Sequence, residues 1–213
     1  MTEPAWRAEK RRLVERYREE NRYAVRGGVI FAGSSLMEMF PVQTWAQELP
    51  GRPPVYNRGV GGYRTEDMLP LMDVLVTDLM PRRVFINIGT NDLSDPAVTI
   101  DALMTRYEEI LRIITARVPG VEIVLMAYYP INFDAADEGM KANLRVRTNA
   151  RICEANRAVS ALAARLGHAF CDFNAPLKDD EGRLKAEYTI EGMHIREEGY
   201  RAIWPLVREE ILR

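Results

Sequence analysis

Cysteine is scarce in this sequence, with two in 213 residues. Cys153 and Cys171 fall in segments that we predict as helix and strand, so buried free thiols are favoured over a disulfide. Histidine is also limited to two residues, and no cluster of His, Cys and carboxylates has metal-ligand spacing. The sequence therefore predicts neither a disulfide-stabilised scaffold nor a metal site.

Long hydrophobic runs are missing as well. No apolar stretch approaches the ~20 residues that a membrane-spanning helix needs. The charged N-terminal sequence lacks the apolar core of a signal peptide. The net charge of -2 leaves no excess of positive charge for nucleic acid or an anionic membrane surface. We therefore expect a cytoplasmic protein with no membrane span and no nucleic-acid partner.

The composition is that of an ordinary globular protein, with 47% hydrophobic and 28% charged residues. This length predicts one domain, residues 1–213, with a proper core. Short apolar segments, predicted as strands, begin near residues 29, 53, 83, 121 and 168. Segments of helical periodicity are predicted between them at 64–79, 98–117, 141–166 and 197–212. Such alternation predicts an α/β fold, a parallel sheet of about five strands covered on both faces.

The N-terminal extension, residues 1–25, contains a predicted helix at 4–21. Its apolar stripe consists of Trp6, Leu13, Val14 and Tyr17. Pro4 suits the first turn of a helix. We expect this stripe to pack on the domain, and a homodimer contact is the alternative.

Arginine is concentrated in the predicted helix at 141–166. Five arginines occur there, at Arg145, Arg147, Arg151, Arg157 and Arg165. A run of like charges along a helix typically forms a solvated face. We therefore interpret most of these side chains as exposed.

Four short loops carry groups that could take part in catalysis or binding. The sequence Gly-Ser-Ser-Leu at 33–36 offers a hydroxyl, and the glycine-rich segment 59–62 offers backbone N–H groups. The sequence Gly-Thr-Asn-Asp at 89–92 offers a side-chain amide. These three loops follow predicted strands, so we expect them to meet at one edge of the sheet. The fourth loop, Glu-Gly-Met-His at 191–194, offers a carboxylate and an imidazole.

An ester hydrolase uses this combination of groups. A serine hydroxyl needs a base to become nucleophilic, and histidine suits that task near neutral pH. A carboxylate orients the imidazole, and N–H donors stabilise the oxyanion. Taken singly, Ser35 is better interpreted as a helix cap, and the other residues as turn or surface residues. Their joint occurrence favours a hydrolase, whereas His168 lies far from these loops and is expected to be structural.

With these motifs in this order, nearly the whole chain resembles the SGNH, or GDSL-type, hydrolases, a family of esterases, lipases, acetylhydrolases and thioesterases. The resemblance implies a flavodoxin-like, three-layer α/β/α sandwich. It implies Ser35 as the nucleophile and His194 as the base. It also implies an oxyanion hole formed by the Ser35 and Gly62 N–H groups and the Asn91 side chain. No cofactor is required for this chemistry.

Two residues depart from the family pattern. Ser34 stands at the position of the usual aspartate in the first block, and we favour Ser35 over Ser34 as the attacking residue. Glu191 stands where the family has aspartate. Glutamate can serve as a triad acid, but it is one methylene longer. We expect Glu191 to orient His194; otherwise the acid role is weak or falls to backbone carbonyls.

The expected function is hydrolysis of a carboxylic ester through an acyl-enzyme on Ser35. The loop at 128–140 offers Tyr128, Tyr129 and Phe133 as substrate-binding residues. Without a signal peptide or a long apolar lid, we expect a short acyl group such as acetyl, on a carbohydrate or small metabolite. A lysophospholipase or thioesterase-type acylhydrolase is the next candidate. Acyl transfer to a sugar or alcohol, and a flavodoxin-like binding protein that has lost catalysis, remain open.

Overall fold

The sheet of this protein consists of five parallel strands in the order β2-β1-β3-β4-β5. The computed structural model describes residues 5–213, so the predicted role of Pro4 lies outside the described residues. The strands are β1 (Val29–Gly33), β2 (Val55–Gly59), β3 (Arg83–Asn87), β4 (Glu122–Met126) and β5 (Ala169–Cys171). This is the flavodoxin-like order, which confirms the predicted fold.

Helices cover both faces of the sheet. They are α1 (Ala5–Asn21), α2 (Ser35–Glu38), α3 (Val42–Trp45), α4 (Thr65–Met68), α5 (Met72–Leu75), α6 (Ile100–Arg117), α7 (Glu138–Leu144), α8 (Asn149–Leu166) and α9 (Glu197–Leu212). Successive strand residues point to opposite faces: Ile30 and Ile86 pack with α1, α6 and α8, whereas Phe31 and Phe85 pack with α2, α3 and α9. The rings of Phe31 and Phe85 stack with centroids 4.5 Å apart.

Two predicted helices are interrupted. The segment 64–79 forms α4, α5 and short 3-10 turns, one of which contains Pro70. Proline has no N–H and cannot continue an α-helical ladder. The predicted helix 141–166 is divided into α7 and α8 because Thr148 caps α8, its side chain accepting a hydrogen bond from the Arg151 N–H.

The break before Thr148 changes the environment of one arginine. Arg147 lies in the turn between α7 and α8 and is only 4% exposed, so it does not belong to a solvated face. Arg145, Arg157 and Arg165 are exposed, as the sequence predicted for most of this group.

Cys153 is a free cysteine but is exposed on α8, so its predicted burial was wrong. Cys171 is free and half-buried.

Helix α1 packs on the edge of the sheet that ends in β2. Val14 and Tyr17 are buried, and the Tyr17 hydroxyl donates a 2.9 Å hydrogen bond to the Gly59 carbonyl. Burial raises the pKa of Tyr17 to about 12. Arg58 is also buried, and its guanidinium donates to the Asn21 side chain at the end of α1. These contacts attach α1 directly to the end of β2, where the glycine-rich segment 59–62 begins.

Neither a membrane helix nor a metal cluster is found within residues 5–213. No helix in this range combines the length and apolarity needed to cross a membrane. No group of three His, Cys, Asp or Glu side chains in the same range has an arrangement that could hold a metal ion.

Candidate active site

Ser35 lies at the turn from the central strand β1 into α2. Gly33 ends β1, Ser34 precedes the helix and Ser35 is its first residue. Gly33 has a φ of +157°, and a Cβ there would collide with the Asn87 carbonyl, so this turn requires glycine. The chain leaves β1 for β2 on one side and later returns to β3 on the other. Ser35 therefore stands at the topological switch point, where α/β proteins of this kind bind ligands.

His194 bridges Ser35 and Glu191. Its Nε2 is 2.9 Å from the Ser35 Oγ, and its Nδ1 is 2.7 Å from Oε1 of Glu191. The same carboxylate oxygen accepts a 3.1 Å hydrogen bond from the His194 backbone N–H. The longer glutamate side chain thus reaches the imidazole without a gap. The structure brings together all three residues that the sequence singled out for this chain of contacts.

The loop that carries His194 is held by its own hydrogen bonds. The Thr189 hydroxyl accepts from the Gly192 N–H at 2.8 Å and donates to the His194 carbonyl at 3.1 Å. The Gly192 carbonyl in turn accepts a 2.8 Å hydrogen bond from the Asn132 N–H. These contacts fix the backbone on both sides of the imidazole, so its orientation is set before any ligand binds.

The glycine-rich loop after β2 lies beside α2. The Asn57 side chain donates to the carbonyls of Met37 and Phe40 and accepts from the Gly59 N–H. The Gly61 N–H donates a 2.5 Å hydrogen bond to the Glu38 side chain. Gly62 has a φ of +72°, which favours glycine, and the Lys10 ammonium fills the space that a Cβ would need there. Gly62 and Ser35 line the same cleft.

Asn91 faces this cleft from the end of β3. Its Oδ1 accepts a 2.8 Å hydrogen bond from Nη2 of Arg147, and its Nδ2 donates a 3.0 Å hydrogen bond to the Tyr63 carbonyl. A guanidinium only donates hydrogen bonds, so the amide oxygen of Asn91 must face Arg147. The Nδ2 group has two N–H bonds and uses one for Tyr63, which leaves the second for a ligand.

Ser34 does not take part in this arrangement. It is 1% exposed, and its Oγ has no hydrogen-bond partner within residues 5–213. Only Ser35 of the two serines contacts His194 and lines the cleft. The geometry thus distinguishes the two neighbours in the same direction as the sequence, which favoured Ser35.

The cleft has a volume of about 440 Å³. Its floor contains Ser35, Gly61, Gly62, Asn91, Met193 and His194. Helix α1 forms one wall through Trp6, Glu9, Lys10 and Leu13, and Glu38 completes the lining. The apolar stripe of α1 was visible in the sequence, but nothing in its spacing indicated that Trp6 and Leu13 of this stripe, with Glu9 and Lys10 beside them, would line the site.

A larger groove of about 960 Å³ adjoins the cleft and shares Trp6, Lys10 and Gly62 with it. Tyr63 also lines it, and the rest of its lining is rich in charged side chains, namely Arg7, Arg11, Glu15, Arg64, Glu66 and Asp67. The Lys10 ammonium lies 4.6 Å from the Trp6 ring centroid. Partial burial lowers the pKa of Lys10, while the nearby Asp67 and Glu38 carboxylates oppose that shift.

The predicted substrate-binding role of Tyr128 and Tyr129 is corrected by their burial. Tyr128 is fully buried, and its hydroxyl donates a 2.8 Å hydrogen bond to the Ile88 carbonyl. Tyr129 is 2% exposed in the core on the opposite face of the sheet. Burial raises the pKa of both phenols well above the usual range. Phe133 is 37% exposed but does not line the cleft.

His168 likewise lies away from the cleft. It precedes β5 and is half-buried, and burial lowers its pKa. The cavity walls to which it belongs contain none of the residues around Ser35. Its location agrees with the structural role expected from the sequence.

The strand order, the serine after β1 and the histidine loop before the last helix define an α/β protein of the hydrolase type. The family model described as "GDSL-like Lipase/Acylhydrolase family" matches residues 27–202, and the chain belongs to this family. Helix α1 lies outside the matched range. A comparison with curated proteins gave no match.

Several solved structures are similar to this chain. One is a Streptococcus pneumonia protein provisionally described as a platelet activating factor, with 28% identity, a TM-score of 0.84 and coverage of 96% of this chain and 93% of that one. A GDSL-like lipase from Bacteroides thetaiotaomicron has 22% identity, a TM-score of 0.77 and coverage of 93% and 97%. An acetylxylan esterase from Geobacillus stearothermophilus has 17% identity, a TM-score of 0.67 and coverage of 88% and 95%.

Proposed function

We propose that the protein is a serine carboxylic ester hydrolase that acts through an acyl-enzyme on Ser35. The observation that carries this proposal is the continuous chain of contacts from the Ser35 Oγ through His194 to Glu191, at 2.9 and 2.7 Å. A serine and a histidine at this distance can exchange a proton, which is the step that makes the hydroxyl nucleophilic.

In the first half of the reaction, the Ser35 Oγ attacks the acyl carbonyl while Nε2 of His194 accepts its proton. Glu191 accepts a hydrogen bond from Nδ1, which keeps Nε2 unprotonated before attack and stabilises the imidazolium afterwards. His194 then gives the proton to the departing alcohol. In the second half it takes a proton from water, the hydroxide attacks the acyl carbon, and the proton returns to Ser35.

The negative charge that develops on the carbonyl oxygen is stabilised by N–H donors. The backbone groups of Ser35 and Gly62 and the remaining N–H of Asn91 are the proposed donors, since all three residues line one cleft. Donors that are already fixed need no reorganisation when the charge appears, and removal of one typically costs about 100- to 1000-fold in kcat.

For the substrate, we propose a short acyl group on a hydroxyl-rich alcohol such as a sugar. The cleft of about 440 Å³ beside Ser35 is closed on one side by α1, which suits a small acyl group. The adjoining groove combines two aromatic rings, of Trp6 and Tyr63, with many charged side chains. Aromatic faces and polar groups together fit a sugar better than a lipid chain. Acetylxylan esterases occur among proteins with this fold, which is compatible with such a substrate.

The test compares Ser35→Ala with Ser34→Ala, using p-nitrophenyl acetate and a fluorophosphonate probe. Ser35→Ala is expected to lose hydrolysis and labelling, whereas Ser34→Ala should retain both because its hydroxyl contacts neither His194 nor the cleft. Equal turnover by wild type and Ser35→Ala would refute the proposal. Absence of both labelling and turnover in the wild type would favour a binding protein without catalysis.

A further inference from the structure

We propose that Arg147 is a positioning residue for the oxyanion donor Asn91, and that it fixes and polarises the amide by donating to its oxygen. This inference rests on the proposed function. It concerns a residue outside the Ser35–His194–Glu191 chain of contacts and outside the four motif loops from which that function was argued.

The first observation is the set of contacts around the guanidinium. Nη2 of Arg147 lies 2.8 Å from the Asn91 Oδ1, Nε lies 2.9 Å from the Ser94 Oγ, and Nη1 lies 2.6 Å from the Met193 Sδ. Met193 directly precedes His194 in the chain. A single planar group therefore contacts both the amide at the end of β3 and the loop that carries the base.

The second observation is that this buried cation lacks an ion pair. Arg147 is 4% exposed, and no carboxylate within residues 5–213 lies within 4.0 Å of its guanidinium. The nearby Asp92 accepts hydrogen bonds from Arg106 and Thr65. Burial lowers the pKa of Arg147 to about 10, and the Asp92 carboxylate opposes that shift without a direct contact, so Arg147 remains charged at neutral pH. Such an unpaired buried charge is costly for folding.

The reaction would place a second negative charge near this cation, in addition to that of Asp92. When the acyl carbonyl becomes tetrahedral, an oxyanion forms at the free N–H of Asn91, on the other side of the amide from Arg147. A charged donor on Oδ1 draws electron density from the amide and strengthens the opposite N–H as a donor. The interaction then stabilises the transition state more than the ground state, which is the condition for raising kcat.

The orientation of Asn91 follows from the same contact. If the amide rotated by half a turn, an NH₂ group would face the guanidinium, and two donors would oppose each other in a buried place. Arg147 therefore excludes the orientation in which Asn91 presents its oxygen to the cleft. Without Arg147, only the hydrogen bond to the Tyr63 carbonyl still selects this orientation, so a larger fraction of the molecules would present an acceptor to the oxyanion.

The test measures kcat and KM for p-nitrophenyl acetate in Arg147→Met, with Arg151→Met as the matched control. Arg151 is a neighbouring arginine that also contacts the loop after β3, through the Asp95 and Val98 carbonyls, but it does not touch Asn91. Arg147→Met should lower kcat about 10- to 100-fold, part of the loss caused by removing an oxyanion donor. Its KM should change little, and Arg151→Met should keep kcat within about threefold even if its Tm falls.

A double-mutant cycle separates positioning from a general structural role. In an Asn91→Ala background, Arg147→Met should cost less than about threefold in kcat, because Arg147 then has no amide to position. A full loss in that background, or equal losses in Arg147→Met and Arg151→Met, would overturn the proposal. Should Arg147→Met fail to fold, Arg147→Lys supplies the same cycle, since lysine keeps the charge without the planar fork.

This test can fail independently of the proposed function. Ser35→Ala must abolish turnover for the hydrolase mechanism to hold, whatever the effect of Arg147. If Ser35→Ala is inactive and the cycle with Asn91 is additive, the mechanism stands and only the positioning role falls. Added guanidinium ion provides one more readout, because it should partly restore kcat in Arg147→Ala but not in the Asn91→Ala, Arg147→Ala double variant.

Discussion

The hydroxyl of Tyr200 donates a 2.7 Å hydrogen bond to the backbone carbonyl of Leu36, 164 residues earlier in the chain. Leu36 lies in α2 next to Ser35, and Tyr200 lies in the first turns of α9, after the loop that carries His194. The Tyr200 ring also stacks on Phe40 with centroids 4.7 Å apart. Burial raises the pKa of the phenol well above its usual range, so it remains a donor. The contact holds the segments that present the nucleophile and the base in a fixed relation.

Tyr200→Phe is expected to lower the free energy of unfolding by about 1–3 kcal/mol, because the buried Leu36 carbonyl loses a partner while the ring stacking remains. Urea unfolding of wild type and variant measures the difference. Tyr23→Phe is the matched control, since Tyr23 is 82% exposed and should show no change. Equal midpoints for Tyr200→Phe and wild type would mean that this hydrogen bond contributes nothing to stability.

Glu191→Gln tests the acid of the proposed triad. The amide keeps the length of the side chain but carries no charge, and its NH₂ group can force the wrong imidazole tautomer. We expect kcat to fall by about 100- to 10,000-fold, by analogy with the loss of charge at the acid of serine protease triads. Glu191→Asp keeps the charge and should lose much less. Rates near wild type in both variants would remove Glu191 from the mechanism.

The acyl chain length tests the size of the cleft. We expect kcat/KM to be highest for p-nitrophenyl acetate and to fall with butyrate and octanoate, because α1 walls the space beside Ser35. The measurement is kcat/KM for a panel of p-nitrophenyl esters, and the rate with Ser35→Ala is subtracted as the background. Highest activity on octanoate would reverse this assignment and favour a lysophospholipase-type substrate.

Substitution of Trp6 tests where the alcohol part of the ester binds. It is 53% exposed and lines both the cleft and the adjoining groove. Trp6→Ala should raise KM for an acetylated xylo-oligosaccharide about three- to tenfold, the range expected for loss of one aromatic contact, while p-nitrophenyl acetate is little affected. Tyr23→Ala, at an exposed position beyond the end of α1, should change neither value. An equal rise in KM for both esters would mean that Trp6 contributes to the cleft alone.

The parts of the site that follow strands were predictable from the sequence. A parallel sheet brings its strand ends to one edge, so the loops containing Ser35, Gly62 and Asn91 had to converge whatever the details of packing. The contact of Glu191 with His194 could also be predicted from the sequence, since only two residues lie between them in a tight loop. These inferences depend on local sequence and on general topology.

The environments that the sequence did not predict are those that depend on the tertiary structure. Arg147 lies in a segment whose composition is typical of a solvated helical face. A new helix begins after the cap at Thr148, however, and the Arg147 side chain is buried in the turn before it. The loop at 128–140 offers Tyr128 and Tyr129 as predicted substrate-binding residues. The segment instead passes into the core, where Tyr128 bonds to the Ile88 carbonyl. The burial of these side chains cannot be predicted from the spacing of apolar residues.

Glu108 gives a stability test that depends on pH. It lies on α6 and accepts hydrogen bonds from Arg112 and from Arg165 of α8, and these guanidinium groups lower the pKa of its carboxyl to about 2. The ordinary pKa of a glutamate side chain is 4.5, so the folded state binds this proton less readily than the unfolded chain. The stabilising contribution is therefore fully present above pH 4.5 and is lost as the pH falls toward 2.

Glu108→Gln should accordingly be less stable than wild type at pH 7, and the difference should shrink below pH 4.5 and vanish near pH 2. Thermal or urea unfolding at pH 7, 4 and 3 measures this difference, and added salt should reduce it at pH 7 because the pairs are near the surface. Glu109→Gln is the control, since Glu109 is exposed on the same helix. A difference that stays constant down to pH 3 would show that the carboxyl acts through packing, not through its charge.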